Sequence, residues 1–126
     1  MKFFWIPVSL LVLILSLSLY NAHAVNENVM VWCEELNAAQ EAADDGNWAE
    51  TKHRIVSVHD AWDKKQSYFH IVSVHAELDE AEALLAKSLS FAIAQDDAEF
   101  RANTAELITQ LHLLSEIQEI SIKNIL

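Results

Sequence analysis

Residues that turn a chain are nearly missing from this one: a single glycine, Gly46, and a single proline, Pro7, occur in 126 positions. Sheets need turn formers at every hairpin, so this scarcity argues against β-structure, and the abundance of Ala, Leu, Glu and Ile makes an all-α body the expectation. Cysteine also occurs once, at Cys33. No intrachain disulfide can form, so the fold must hold by packing. Val29-Met30-Val31-Trp32 before it do not resemble the approach to a lipid-modified cysteine. Its place on an apolar helix face marks a buried, inert thiol rather than a bridge between copies. Positive charge is scarce too, with 8 Lys and Arg against 19 Asp and Glu. Such a surface repels nucleic-acid phosphates and anionic headgroups and favours cations, including divalent metals and basic peptides, though its plainest effect is solubility. Catalytic signatures are missing as well. There is no Gly-rich loop, no His-Glu-x-x-His pair, no serine elbow, and no histidine beside Cys33, so the chain is not read as an enzyme.

What is present is one apolar run. Phe3 to Tyr20, FFWIPVSLLVLILSLSLY, holds no charge over 18 positions, close to the ~20 apolar residues that a helix needs to cross a bilayer. Residues 1–24 are therefore read as a membrane anchor that contacts lipid through residues 3–20. The alternative is a secretory signal, with Lys2 as its basic start, an apolar centre from Leu10 to Leu15, and Ala22-His23-Ala24 as a small-x-small cleavage pattern. Cleavage at Ala24 would release residues 25–126 as a secreted domain. The run exceeds the usual signal core of about 7 to 15 residues, and no helix breaker separates it from the amphipathic pattern that starts near Val29, so the anchor is preferred. Lys2 is the sole charge before the run and every acid lies after it. A single pass with the N-terminus cytoplasmic and the body extracytoplasmic is the expected topology.

Residues 25–126 suffice for one modest core and form a single acidic helical bundle. Without Lys2 the rest carries 7 basic against 19 acidic groups, a formal charge of −12. From Val25 to Asp44 the apolar positions Val29, Trp32, Cys33, Leu36, Ala39 and Ala43 recur at three- and four-residue steps, as on one side of a helix. Nothing between Tyr20 and Asp44 would stop that helix, so membrane span and first body helix are expected to form one rod. Asp44-Asp45-Gly46-Asn47 predicts a turn, with Gly46 left-handed, Asn47 capping the next helix, and Glu50 completing a capping box.

Trp48, Ile55, Trp62 and Phe69 then occur at intervals of seven with Thr51, Val58 and Val72 between them, a heptad-like, coiled-coil-type seam that calls for a partner helix. The same stripe would suit an apolar ligand groove. No Gly or Pro marks the end of this helix, and a break is expected between Ser67 and Ser73. A third helix carries Leu78, Ala81, Leu85, Leu89 and Ala92 on one face, with Glu77, Asp79, Glu80 and Glu82 in its first turns. Asp96-Asp97 supply the next turn, and a fourth helix aligns Phe100, Thr104, Leu107, Leu111 and Leu114, flanked by Ile108 and Ile117. The apolar tail Ser121 to Leu126 is expected to dock on the bundle. The architecture predicted is an N-terminal transmembrane helix followed by an antiparallel three- to four-helix bundle.

One repetition points to chemistry. Ile55-Val56-Ser57-Val58-His59 recurs as Ile71-Val72-Ser73-Val74-His75, each with an aspartate four residues after the histidine, Asp63 and Asp79. Histidine and aspartate at that spacing share a helix face. If a hairpin brought the two pairs together, His59, Asp63, His75 and Asp79 would form a divalent-metal site, zinc being suited to imidazole and carboxylate. The plainer reading makes both histidines hydrogen-bonded surface or boundary groups, with no cofactor at all.

The N-terminal membrane segment, Gly46-Asn47-Trp48, the aromatic Trp62, the stretch His75-Ala76-Glu77-Leu78-Asp79-Glu80-Ala81-Glu82 and the closing Asn124-Ile125-Leu126 together resemble the family called domain of unknown function 4363. The resemblance covers nearly the whole chain and implies a small bacterial membrane-anchored helical protein with no assigned activity. It singles out Trp48, Trp62, His75, Glu77 and Asp79 and supplies no catalytic residue. The chain departs from the family pattern in its histidine content and in Ala22-His23-Ala24. The leading reading is a non-enzymatic interaction or scaffold protein that offers an acidic helical surface to a protein partner. A module binding a divalent metal or small apolar ligand is the alternative, and an exported hydrolase stands last.

Overall fold

The computed structural model describes residues 2–72 and 75–125. They form four helices: α1 Lys2–Asp44, α2 Trp48–Val72, α3 His75–Ala94 and α4 Asp97–Ile125. No strand occurs among the described residues. Helix α1 runs 43 residues without a break, so the apolar run and the first amphipathic stretch are one rod. Pro7 falls in its second turn, where one lost backbone bond leaves the helix intact.

Two of the turns share one construction. At the first, Gly46 takes φ 76°, its N–H donates to the Ala43 carbonyl, and the Asn47 N–H reaches back to Ala42 at 2.8 Å. At the second, Gln95 takes φ 55°, its N–H donates to Ala92, and the Asp96 N–H reaches back to Phe91 at 3.0 Å. Both are Schellman closures, which need one left-handed residue after the helix. A cap comes at once in each case. The Asn47 Oδ1 accepts from the Glu50 N–H at 3.2 Å, and the Asp96 Oδ1 accepts from the Glu99 N–H at 3.3 Å. The expected capping box does not close, because the Glu50 carboxylate pairs with the Arg54 guanidinium at 3.0 Å instead of reaching back to Asn47. Between α2 and α3 the expected break falls at the end of Val72. Ser73 and Val74 lie outside the described residues.

Side-chain bonds across the helix pairs give the direction of packing. As the α1 partner steps back from Ala39 to Glu35 to Asn21, the α2 partner advances from Thr51 to Arg54 to Tyr68. The α3 to α4 bonds run from Ser88 with Asn103 to Glu77 with Gln110, and Arg101 and Ser115 of α4 meet Asp44 and Asn26 of α1. Neighbouring helices are therefore antiparallel, and α4 closes the ring by packing back on α1. This is an up-down-up-down four-helix bundle whose first member also carries the apolar run.

The core is built from the stripes read in the sequence. Val25, Val29, Trp32, Cys33, Leu36, Ala39 and Ala43 of α1 face Ile55, Val58, Trp62 and Phe69 of α2, Leu78, Ala81, Leu84, Leu85 and Ala92 of α3, and Phe100, Leu107, Leu111 and Leu114 of α4, all buried. Leu89 and Ile108 pack at its edge. Val72 and the tail residues Ser121, Ile122, Asn124, Ile125 and Leu126, expected at the seam and docked on the bundle, have side chains outside the described residues. Val25 is the first fully buried residue, and α1 passes through the 24/25 boundary without a break.

Candidate functional site

The candidate positions Trp48, His59, Trp62, Asp63, His75, Glu77 and Asp79 all lie among the described residues. Trp62 is 2 % exposed, wedged between Trp32 at a ring separation of 5.5 Å and Phe69 at 5.7 Å. Its Nε1–H is buried without a hydrogen-bond partner. Trp48 is half-buried and meets Phe100 edge-to-face at 5.7 Å. The α2 stripe is thus filled by packing against α1 and α4, and the apolar groove allowed by its spacing is occupied by protein. Glu77 ties two helices, since the Gln110 Nε2 donates to its carboxylate at 2.7 Å and to its carbonyl at 3.1 Å. Asp79 and His75 are exposed on α3.

The four residues of the conjectured metal site do not converge. His59 Nδ1 stands 3.3 Å from Asp63 Oδ2 along α2. His75 instead meets His70, Nδ1 to Nδ1 at 2.7 Å, with the rings stacked at 4.7 Å. Hairpin register is the cause. The α2 to α3 packing sets His70 opposite His75, and His59 stands about 16 Å of helix rise farther along. Among the described residues there is no group of three or more His, Cys, Asp or Glu side chains able to hold a metal ion. In the His70–His75 bond one ring donates from Nδ1 and the other accepts.

Among the described residues of the body, titration is perturbed at Cys33 and Tyr68. Burial pushes the Cys33 thiol from 9.0 up to about 11, as expected for an inert core cysteine. Burial also raises the Tyr68 phenol, with the nearby Tyr20 phenol adding to the shift. The Tyr68 hydroxyl donates to the Asn21 Oδ1, which pins the end of α2 to α1 close to the apolar run.

Sequence reading placed Thr51 and Thr104 on the core stripes but missed Ser88 and Asn103, which complete a buried polar layer. Asn103 Nδ2 donates to the Leu84 carbonyl at 2.8 Å and to the Ser88 Oγ at 2.7 Å, with Thr104 Oγ1 at 3.5 Å from that oxygen. Thr51 donates to backbone carbonyls of Ala39 and Asn47. The available signal was positional, because Ser88 falls midway between the core residues Leu85 and Ala92 on the buried face of α3.

The bundle has two unlike ends. Both Schellman turns lie at the far end from the apolar run, joined there by the Arg101–Asp44 ion pair. Residues 41–50 and 95–101 hold Glu41, Asp44, Asp45, Glu50, Asp96, Asp97 and Glu99 against Arg101 alone. The other end joins residues 3–20, almost all exposed and with a peak mean hydropathy of 2.2. Among the described residues one helix is thus long and apolar enough to cross a membrane, a property that anchors and signal sequences share.

A small helical bundle with an apolar extension of its first helix is the class that these features define. Residues 19–125 match the family described as Domain of unknown function (DUF4363), and the chain belongs to that family. No curated protein and no solved structure matches the chain.

Proposed function

We propose that this is a non-enzymatic interaction protein, held on the outer face of a cell membrane by residues 3–20, with the distal acidic tip as the docking surface for a cationic protein partner. The observation that carries it is polarity: the apolar run and the seven-acid tip sit at opposite ends of one bundle. Acids occur along the whole bundle, but toward the apolar run Glu77, Asp79, Glu80 and Glu82 are mixed with Lys64, Lys65 and Lys123, whereas the seven acids of the tip face Arg101 alone, and a pole so short of bases steers a basic partner to it. Retention of the anchor is supported by α1 itself, since the Ala24 carbonyl accepts from Asn28 Nδ2 at 2.8 Å and Asn21 holds Tyr68. Cutting after Ala24 would discard both of these ties, since the Ala24 carbonyl and Asn21 leave with the released segment.

The test is crosslinking of the full-length chain in membranes of cells that express it, with mass spectrometry of captured species and of its own N-terminus. The expected result is an intact N-terminus and one recurring basic partner, lost when Asp44, Asp45, Asp96 and Asp97 are changed to lysine. A mature start at Val25 would overturn the tether, and a partner retained by the charge-reversed tip would overturn the docking surface.

A further inference from the structure

The core stripe does not stop where the apolar run begins. Between Ser9 and Tyr20 only Leu15 and Ser18 are half-buried, and with Ala22 and Val25 they continue the buried side of α1 at three- and four-residue steps. Something in the bundle therefore covers one face of the run, and helix register identifies it. Tyr68 is level with Asn21 and Ser115 with Asn26. In antiparallel helices rising about 1.5 Å per residue, Ile71 then stands level with Ser18, Ile120 with Asn21, and Lys123 with Ser18. The end of α2 and the last turns of α4 overlap the run in height.

That overlap has a chemical signature. Ile71 is 83 % exposed and Ile120 is 55 % exposed, beside Tyr20, Leu19 and Leu17, which are exposed as well. Lys123 is exposed at the same level, and Lys64 and Lys65 lie about one turn above Tyr68. Isoleucine and tyrosine at one level, with lysine heads able to snorkel toward water, is the side-chain order of a lipid–water interface. The facing imidazoles His70 and His75 satisfy one ring nitrogen of each within the pair, which lowers the desolvation cost of standing there.

We propose that this near end of the bundle is itself seated in the lipid interface, with Ile71 and Ile120 inserted among headgroups. The inference rests on residues 3–20 spanning a membrane. With a net charge of −11 the chain as a whole is repelled by anionic lipid, and the insertion proposed is apolar and independent of lipid charge.

Ile71→Cys and Ile120→Cys, each in a Cys33→Ala background and labelled with a polarity-sensitive dye, test it in the full-length chain in phosphatidylcholine vesicles. Ile93→Cys is the control, since Ile93 is 63 % exposed at the acidic end. These side chains are exposed, so their replacement leaves the core intact, and helical circular dichroism of each labelled variant checks the background. The expected result is blue-shifted emission at positions 71 and 120, quenching by lipid-borne nitroxide several-fold stronger than at 93, and shielding from aqueous iodide. Adding anionic lipid leaves these values unchanged. Iodide quenching at 71 and 120 equal to that at 93, in a chain that still resists carbonate extraction, overturns the inference and leaves the anchor standing. Shielding from both quenchers, with crosslinks to a second chain, overturns it in favour of a protein cover. Release by carbonate overturns the anchor and the inference together.

Discussion

Replacing Trp62 by alanine, and separately by phenylalanine, separates what the central ring contributes from what its nitrogen costs. A buried aromatic side chain removes about 150–250 Å² from water, worth about 4–6 kcal/mol at ~25 cal/mol per Å². The stranded Nε1–H offsets about 1–3 kcal/mol of that. Alanine removes both and leaves a cavity against Trp32 and Phe69, so a net loss of about 3–5 kcal/mol is expected. Phenylalanine keeps most of the ring contact and deletes the orphaned donor, so the loss shrinks to under about 1 kcal/mol. The assay is urea unfolding of the full-length chain in detergent, monitored by circular dichroism at 222 nm. For a domain of this size about 1 kcal/mol corresponds to about 4–8 °C in Tm, and a thermal scan gives an independent reading. A cost below about 0.5 kcal/mol for Trp62→Ala would refute the core assignment. A phenylalanine variant as damaged as the alanine one would refute the claim that Nε1–H lacks a partner.

The twin turns predict opposite signs. Gly46→Ala places a side chain at φ 76° with nothing within 4 Å to hinder it, so it loses about 1–2 kcal/mol from backbone strain alone. Gln95→Gly relieves the same strain at φ 55° and stabilises by about 0.5–1 kcal/mol, both read by urea midpoint. Asn103→Ala leaves the Ser88 hydroxyl short of its donor and costs about 1–3 kcal/mol. The added cost falls away in a Ser88→Ala background, which a double-mutant cycle measures. Cys33 is expected to resist maleimide at pH 8 in the folded chain and to react on unfolding. With a folded value near 11 against 9.0 unfolded, the unfolded thiolate forms first, so stability is unaffected below pH 9 and falls as pH rises above it.

Helix faces were legible because burial and period coincide: residues such as Leu36, Ile55, Leu85 and Leu107 repeat every three or four positions and all lie in the core. The Gly46 turn was legible because glycine marks the left-handed residue. Its twin at Gln95 carried no such mark, since glutamine tolerates that conformation under strain without announcing it. The end of α2 fell within the expected window, yet nothing in its composition fixed the residue. The metal conjecture failed on register. A sequence gives which side of a helix His59 and His75 occupy, but their heights depend on how α2 slides along α3, and that is decided by long-range packing. Ser88 and Asn103 were overlooked for a related reason, because a polar residue on an apolar face reads as an interruption until its partner is known.

The unbroken α1 also makes the protein a ruler. From Tyr20 to Asp44 the rod rises about 36 Å, with no linker in which that length could vary. A tip on a flexible tether would sample a hemisphere of positions. This one, with Tyr20 at a membrane surface, would sweep only the arc allowed by the tilt of its span, so the partner proposed for it would have to present its basic surface at a set height above the lipid, and a heptad inserted in α1 between the run and the bundle would carry the acidic tip about 10 Å past it.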